Sequence, residues 1–276
     1  MKNTILTIDE VLSGYDQVVK LYPFVPSLSQ WRAWECAAYR KFNIDGKGLD
    51  LGCGDGSYFK LIWPNANDVV GIDMSPEAIN LAKASGVYRN VHLSPAHKIN
   101  ELDSSFDYIF ANCSLEHMDH LDEVLLEIYR CLKPGGVLIC SVVTNRFVEW
   151  LSIPNLLEQI NLNDKGEEIR KEFLEYHHLA NPLQVAEWEK TFEKVNLKIT
   201  EHIPILPRVN SEFFLFIDTI WHLKTSHFTE VGSSIYSYLS TFEKFPRGFR
   251  KIFEGLLEIE NEWEDCSGAV FRLIKS

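Results

Sequence analysis

The chain has 276 residues, a hydrophobic fraction of 46% and a formal net charge of −12. That length holds one large domain or a core with a smaller cap, and the acidic balance argues against nonspecific nucleic-acid binding, which needs clustered Lys and Arg to meet phosphates. No apolar run reaches the ~18 residues of a membrane-spanning helix; the N-terminus has no secretory apolar core, and the scattered cysteines form no C-x-x-C pair, so no metal site is expected and a cytoplasmic, reducing setting is the simplest.

Residues 1–45 read as a helical cap, with aromatic clusters at Tyr22-Pro-Phe24 and Trp31-Arg-Ala-Trp34. An alternating pattern then begins. Lys47–Leu51 is a short buried strand, Ser57–Trp63 a helix start, and Asp68–Ile72 a second strand. Ser75 caps the next helix and Pro76 fits its first turn. Asn90–Leu93 and Phe106–Ala111 are the third and fourth strands. Leu121, Val124, Leu125, Ile128 and Leu132 recur at helical spacing, and a Lys133-Pro-Gly-Gly136 stop precedes a fifth strand, Val137–Val143.

After Thr144 the rhythm breaks. Residues 145–180 read as a helical insertion. Asn181-Pro182 caps a helix with Val185, Trp188, Phe192 and Val195 on one face, and Leu197–Ile205 is a strand, so 181–208 continues the core. A second helical insertion covers 209–263, its main block being Ser211–Trp263, and Gly268–Lys275 closes the chain as the final core strand within 264–276. The cofactor-binding part of the core is 46–144. Strands alternating with helices imply a parallel sheet with helices on both faces.

The run Leu49-Asp-Leu-Gly-Cys-Gly-Asp-Gly56 places glycines at 52, 54 and 56 after the first strand. A dinucleotide fingerprint would be G-x-G-x-x-G, but position 57 is Ser, which makes an NAD-dependent oxidoreductase a distant reading. The second strand ends Gly71-Ile-Asp73. In a parallel sheet that tip faces the ligand crevice, where a carboxylate can accept from both ribose hydroxyls and repels a 2′-phosphate. The alternative role for Asp73, capping the next helix, is weakened because Ser75 already serves.

"LDLGCGDG", "GIDMSPEAINLAK", "FDYIFANCSLEH" and "LKPGGVLICSV", in this order and spacing, resemble class I S-adenosylmethionine-dependent methyltransferases, most closely the type 11 group. The resemblance covers 47–144 strongly and 176–205 weakly. It implies a Rossmann-like α/β fold, with a seven-stranded mixed sheet whose last strand is antiparallel, flanked by helices and helical caps. It also implies S-adenosylmethionine as cofactor, with S-adenosylhomocysteine as product. Carried over position by position, Asp50, Gly52, Cys53, Gly54 and Gly56 cradle the methionine part. Asp73 holds the ribose, Met74 lies against adenine, and Asn112 and Cys113 sit near the methionine part. The family's usual acid after strand 3 is missing: the segment is Leu93-Ser-Pro-Ala-His97, which leaves Ala96 and His97 to contact adenine.

Strand 4 ends Asn112-Cys-Ser-Leu-Glu-His117 rather than Asn-Pro-Pro-Tyr, the pattern resembling enzymes that methylate planar amides or adenine amines. That ending disfavours such acceptors, and the type 11 resemblance implies a small or lipid-like molecule. His117, His177 or His178 is the candidate general base, because imidazole titrates near neutral pH. Adjacent helical residues point about 100° apart, so His177 and His178 do not share one ligand. Packing or surface roles remain the alternative for all three. The aromatic residues of the helical additions form core or an apolar lid over the crevice. A non-catalytic protein that binds the cofactor or a partner is the alternative to an enzyme, and the oligomeric state stays open.

Overall fold

The computed structural model describes residues 2–224 and 229–276; Met1 and positions 225–228, the latter within the expected late helical block, lie outside the described residues. A two-residue strand β1 (Lys2–Asn3) precedes α1 (Ile8–Val18) and α2 (Pro26–Tyr39). At the start of α1, the Thr7 hydroxyl accepts from Glu10 N–H while the Glu10 carboxylate accepts from Thr7 N–H, satisfying two free amides at once. The two helices cross at Gly14, where a Cβ would stand 2.2 Å from the Ala33 carbonyl oxygen. Only glycine permits that approach.

The alternating section follows as β2 (Gly48–Leu51), α3 (Ser57–Ile62), β3 (Val69–Asp73), α4 (Pro76–Ser85), β4 (Asn90–Leu93) and β5 (Phe106–Asn112). A single 3-10 turn at Leu115–His117 leads into α5 (Leu121–Cys131) and β6 (Leu132–Val143). The first insertion is α6 (Arg146–Glu149), α7 (Ser152–Gln159) and α8 (Asn163–His177). Then come α9 (Val185–Lys194), β7 (Leu197–Pro207), α10 (Arg208–His222), α11 (Val231–Leu239), α12 (Phe245–Glu258) and β8 (Cys266–Lys275).

The sheet runs β1-β7-β8-β6-β5-β2-β3-β4. β8 is antiparallel to both β6 and β7, and the remaining pairs are parallel. The final antiparallel strand is as expected, but the sheet has eight strands rather than seven. The addition is β1, which pairs with Glu201 and His202 of β7 inside a segment read as helical. Two residues carry no periodicity from which a strand could be inferred.

One further expectation fails locally. Gln184, not Asn181, is the N-cap of α9, and its N–H donates to the Glu187 carboxylate at 2.8 Å. Asn181 instead donates to the carbonyls of Leu115 and Met118, at 3.2 and 2.7 Å, tying this segment to the turn after β5.

Two apolar layers sandwich the sheet. One is built with α5 and α9; the other takes in α1, α2, α3, α10 and α12 and is rich in aromatic rings. Tyr39 of α2 meets Phe110 of β5 edge to face at 4.9 Å, and Trp63 meets the same ring at 5.0 Å. The N-terminal helices are thereby packed on the sheet, and α2 brings its own side chains to the carboxyl ends of β2 and β5.

Candidate active site

The turn between β2 and α3 uses left-handed backbone at all three glycines: φ is +77° at Gly52, +52° at Gly54 and +80° at Gly56. Their surroundings differ. A Cβ at Gly56 would fall 2.6 Å from the Tyr88 ring, whereas one at Gly54 would meet nothing within 4 Å. Gly56 is bare to admit Tyr88; Gly54 is bare toward open space. The Tyr88 hydroxyl donates to Asp50 Oδ2 at 2.6 Å, beneath the turn. Asp50 is buried at 3% exposure, and burial, with the nearby charge of Asp73, pushes its carboxyl up to about 7 against the pull of the Tyr88 hydrogen bond.

Asp73 joins two elements. Its Oδ1 accepts from Ser75 N–H at 2.8 Å and its Oδ2 from Gly54 N–H at 3.0 Å, so it latches the glycine turn to the start of α4. Ser75 also caps α4 by accepting from Ala78 N–H at 3.2 Å. The capping and turn roles are thus combined rather than exclusive. An ionised carboxylate has about four acceptor sites, so two remain on Asp73.

A cleft of about 640 Å³ opens beside this turn, within the usual range for small-molecule sites. Of the residues expected at the cofactor, Gly52, Cys53, Gly54, Asp73, Met74, Ala96, His97, Asn112 and Cys113 line it, while Asp50 and Gly56 lie behind the turn. Met74 is exposed on its rim. No acid follows Leu93; Ser94 and Pro95 line that wall with Ala96 and His97, and the His97 ring stands 5.1 Å from that of His120.

The sequence reading missed Arg32. This α2 residue is the one Lys or Arg among the described residues lining the cleft. It lies over the Tyr58 ring at 5.1 Å and donates to the fully buried Glu35 carboxylate at 2.5 Å. The residues fit S-adenosylmethionine: an acid for vicinal hydroxyls, a cation for a carboxylate, and a bare turn for close approach.

A second cavity of about 360 Å³ adjoins the cleft and shares Arg32, Cys113 and His117 with it. Trp31, Phe147, Phe214 and Trp221 give it aromatic walls, Trp31 standing 5.5 Å from Phe147 and 5.3 Å from Phe214. Its polar end holds His177, Asp218 and His222. His177 Nε2 is 3.0 Å from Asp218 Oδ2, and Tyr176 stacks on His222 at 3.8 Å. Burial alone would raise the Asp218 carboxyl, but the His177 hydrogen bond and the adjacent His222 imidazole outweigh it and lower the group to about 2. Asp218 and His222 form an i,i+4 pair that the sequence reading passed over, and His177, 41 positions from Asp218, is joined to them only by the fold.

The three candidate histidines separate. His117 borders both spaces, with Nδ1 3.3 Å from the His178 carbonyl oxygen and Nε2 3.9 Å from Glu116 Oε1. His177 faces the aromatic cavity. His178, left-handed at φ +44° where α8 ends, points to Asp119 at 3.3 Å and lines the larger cleft. Cys113, left-handed at φ +48°, marks the end of β5; its N–H donates to Ser141 Oγ at 2.8 Å, and that hydroxyl donates to Glu35 at 2.7 Å.

Residues 49–140 match the family model described as "Methyltransferase domain", of the type 11 kind. A ubiquinone/menaquinone biosynthesis C-methyltransferase of Geotalea daltonii is 30% identical over 51% of this chain and 66% of its own length. A malonyl-[acyl-carrier protein] O-methyltransferase of Hamiltonella defensa is 33% identical over 34% of this chain and 37% of its own. A demethylmenaquinone methyltransferase of Symbiobacterium thermophilum is 27% identical over 52% and 60%. The chain spans less than two thirds of each of these relatives. Among solved structures, a SAM-dependent methyltransferase from Thermotoga maritima superposes with a TM-score of 0.55 at 19% identity, covering 98% of this chain and 99% of its own. The [4+2]-cyclase SpnF gives 0.54 at 17% identity, over 89% and 82%. These two likenesses establish the fold. The family match and the relatives at 27–33% identity show a class I S-adenosylmethionine-dependent methyltransferase domain of the type 11 kind over residues 49–140.

Proposed function

We propose that the protein is an enzyme transferring a methyl group from S-adenosylmethionine to a small acceptor with an aromatic or otherwise apolar body. The observation that carries this reading is the junction of two spaces at Arg32, Cys113 and His117. One space has the polar groups a sulfonium nucleoside needs; the other is walled by tryptophan and phenylalanine. When bound, the nucleoside supplies an electrophilic methyl group. Asp73 and Arg32 anchor its two ends, and the aromatic cavity excludes water and aligns the acceptor for in-line attack. Alignment of this kind is worth up to ~7–11 kcal/mol of barrier.

His117 is the acceptor's base in this reading. With Nδ1–H donating to the His178 carbonyl, Nε2 carries the free lone pair at the junction. The fold itself does not choose the reaction, since a cyclase shares it. The relatives' names specify quinone-pathway and acyl-carrier acceptors, which differ too much to assign one here.

Two measurements test the proposal. Calorimetric titration with S-adenosylmethionine, S-adenosylhomocysteine and NAD reads the cofactor. Transfer of a labelled methyl group to a panel of phenols, quinols, amines and fatty acids then reads the chemistry. Binding of the nucleoside without transfer to any member would favour a non-catalytic binding protein; absence of binding would refute both.

A further inference from the structure

The polar end of the aromatic cavity has a geometry that hydrogen bonding explains only in part. His177 closes α8, and Asp218 and His222 sit one turn apart on α10, so both project to the same side of that helix. Asp218 stands between the two imidazoles: its Oδ2 is 3.0 Å from His177 Nε2, and its Oδ1 is 3.6 Å from His222 Nε2. The first distance is a hydrogen bond. The second is too long for a good one. Among the described residues His222 Nδ1 has no hydrogen-bond partner either, and it stands 3.6 Å from Glu230 Oε2. A mostly buried imidazole aimed at a carboxylate, without a proper hydrogen bond to it, requires another explanation.

A shared cation supplies one. All three donor atoms lie within 4.8 Å of one another. Ligands bonded at ~2.1 Å to a tetrahedral ion stand ~3.4 Å apart, between the two imidazole–carboxylate distances of 3.0 and 3.6 Å. Both histidines present the same nitrogen, and their rings are 89° apart with centroids separated by 5.6 Å. Two imidazoles on one tetrahedral ion place their centroids ~5 Å apart. The Asp218 side chain is 8% exposed, and those of His177 and His222 are 18% and 17% exposed. The outer groups suit the same purpose. Glu230 faces the remaining nitrogen of His222, as carboxylates commonly do behind a metal-bound histidine, and Tyr176 stacks on that ring to fix its plane.

We propose that His177, Asp218 and His222 form a site for a divalent transition-metal cation of the zinc class, with its open coordination position facing the aromatic cavity. Two neutral imidazoles and one carboxylate are a donor set that such ions accept. The open position distinguishes this grouping from a closed structural site. Resting on the methyl-transfer reading, it also defines the acceptor: a molecule with an oxygen or nitrogen donor that reaches the ion while its apolar body lies against Trp31 and Phe214.

The test uses the full chain with any polyhistidine tag removed, stripped with a chelator and titrated with Co²⁺. One ion per chain, with the visible absorption of a low-symmetry cobalt site, is expected. Asp218→Asn and His222→Gln should each weaken binding by more than the ~10–100-fold that loss of an outer partner costs, and Glu230→Gln by about that amount. Added Zn²⁺ should raise the melting temperature of the parent protein and not that of the two ligand variants. If one ligand variant does not fold, the other and His177→Gln carry the comparison. Failure of the parent to bind an ion, or equal binding by folded ligand variants, overturns the site. S-adenosylhomocysteine is titrated into the same samples; loss of that affinity alone would sink the methyl-transfer reading and leave the cation site standing.

Discussion

Arg32 donates to Glu35 at 2.5 Å across one turn of α2, and this ion pair underlies the junction of the two spaces. Glu35 is fully buried, and its other oxygen accepts from Ser141, whose hydroxyl in turn accepts from Cys113 N–H. The guanidinium therefore arrives in the cleft already neutralised and oriented. Replacing Arg32 by Met leaves Glu35 charged and uncompensated, which costs ~3–5 kcal/mol. Arg32→Met should weaken S-adenosylhomocysteine binding at least tenfold and lower the melting temperature. Arg32→Met with Glu35→Gln should recover much of the stability, because Gln still accepts from Ser141, but none of the affinity. Calorimetry and thermal melts on both variants separate the anchoring role from the packing role.

Gly54 and Gly56 should respond differently to alanine although both have positive φ. At Gly56 the new methyl would strike the Tyr88 ring, which is held by its bond to Asp50. Gly56→Ala should destabilise the fold by more than the ~1 kcal/mol of backbone strain alone. At Gly54 the methyl enters open space on the cleft side. Gly54→Ala should melt within a few degrees of the parent, yet bind S-adenosylhomocysteine at least tenfold more weakly. Equal melting temperatures for the two variants would contradict this division.

The parts legible in the sequence are those encoded over short stretches. Alternating apolar runs located the central strands to within a residue or two except β6, which begins at Leu132 and runs through the Lys133-Pro-Gly-Gly136 segment read as a stop before Val137, and the turn at Gly52–Gly56 followed from bare backbone at a strand end. The features that were missed depend on distance. Asp50 is flanked by Leu49 and Leu51 in a strand buried on both faces, so nothing nearby reveals that its carboxyl meets a tyrosine 38 positions later rather than the cleft. Arg32 stood inside an aromatic run read for its tryptophans, and its function appears only once α2 lies against the ends of β2 and β5. His177 could be singled out as a titratable residue, but Asp218 and His222, which give it a partner, come from a helix read only for its apolar residues.

Asp50 also makes a pH prediction. Its carboxyl is raised to about 7 in the fold from an ordinary 3.8. Between these values the folded chain keeps a proton that the unfolded chain releases, so this group's contribution to stability is full below pH ~4 and declines as pH rises toward 7, by up to about 4 kcal/mol. His202 acts in the opposite sense. Burial lowers it from 6.5 to about 4, so its contribution is full above 6.5 and is lost as pH falls toward 4. The two oppose each other through the same window. Asp50→Asn removes one of them while leaving an oxygen to accept from Tyr88. The stability difference between Asp50→Asn and the parent, from denaturant melts, should move in favour of the variant as pH rises from 4.5 to 7.5. A difference independent of pH would rule out the raised carboxyl.

The junction at His117 allows the base to be distinguished from simple alignment. His117 contributes no side chain to the cation grouping and borders both spaces, so removing its imidazole should act on the transfer step. General-base contributions are typically ~100–10,000-fold. His117→Ala should lower kcat by at least 100-fold once an acceptor is known, remove the acidic limb of the pH–rate profile, and leave S-adenosylhomocysteine affinity within about twofold. His178→Ala should instead raise the KM for the methyl donor, because that imidazole faces Asp119 on the cofactor side. An acceptor whose nucleophile is already deprotonated at the assay pH should be insensitive to His117→Ala, while a more weakly acidic one should show the full loss. A uniform loss across such a series would mean that His117 shapes the junction and takes no proton; no loss at all would leave alignment by the two cavities as the whole of the catalysis.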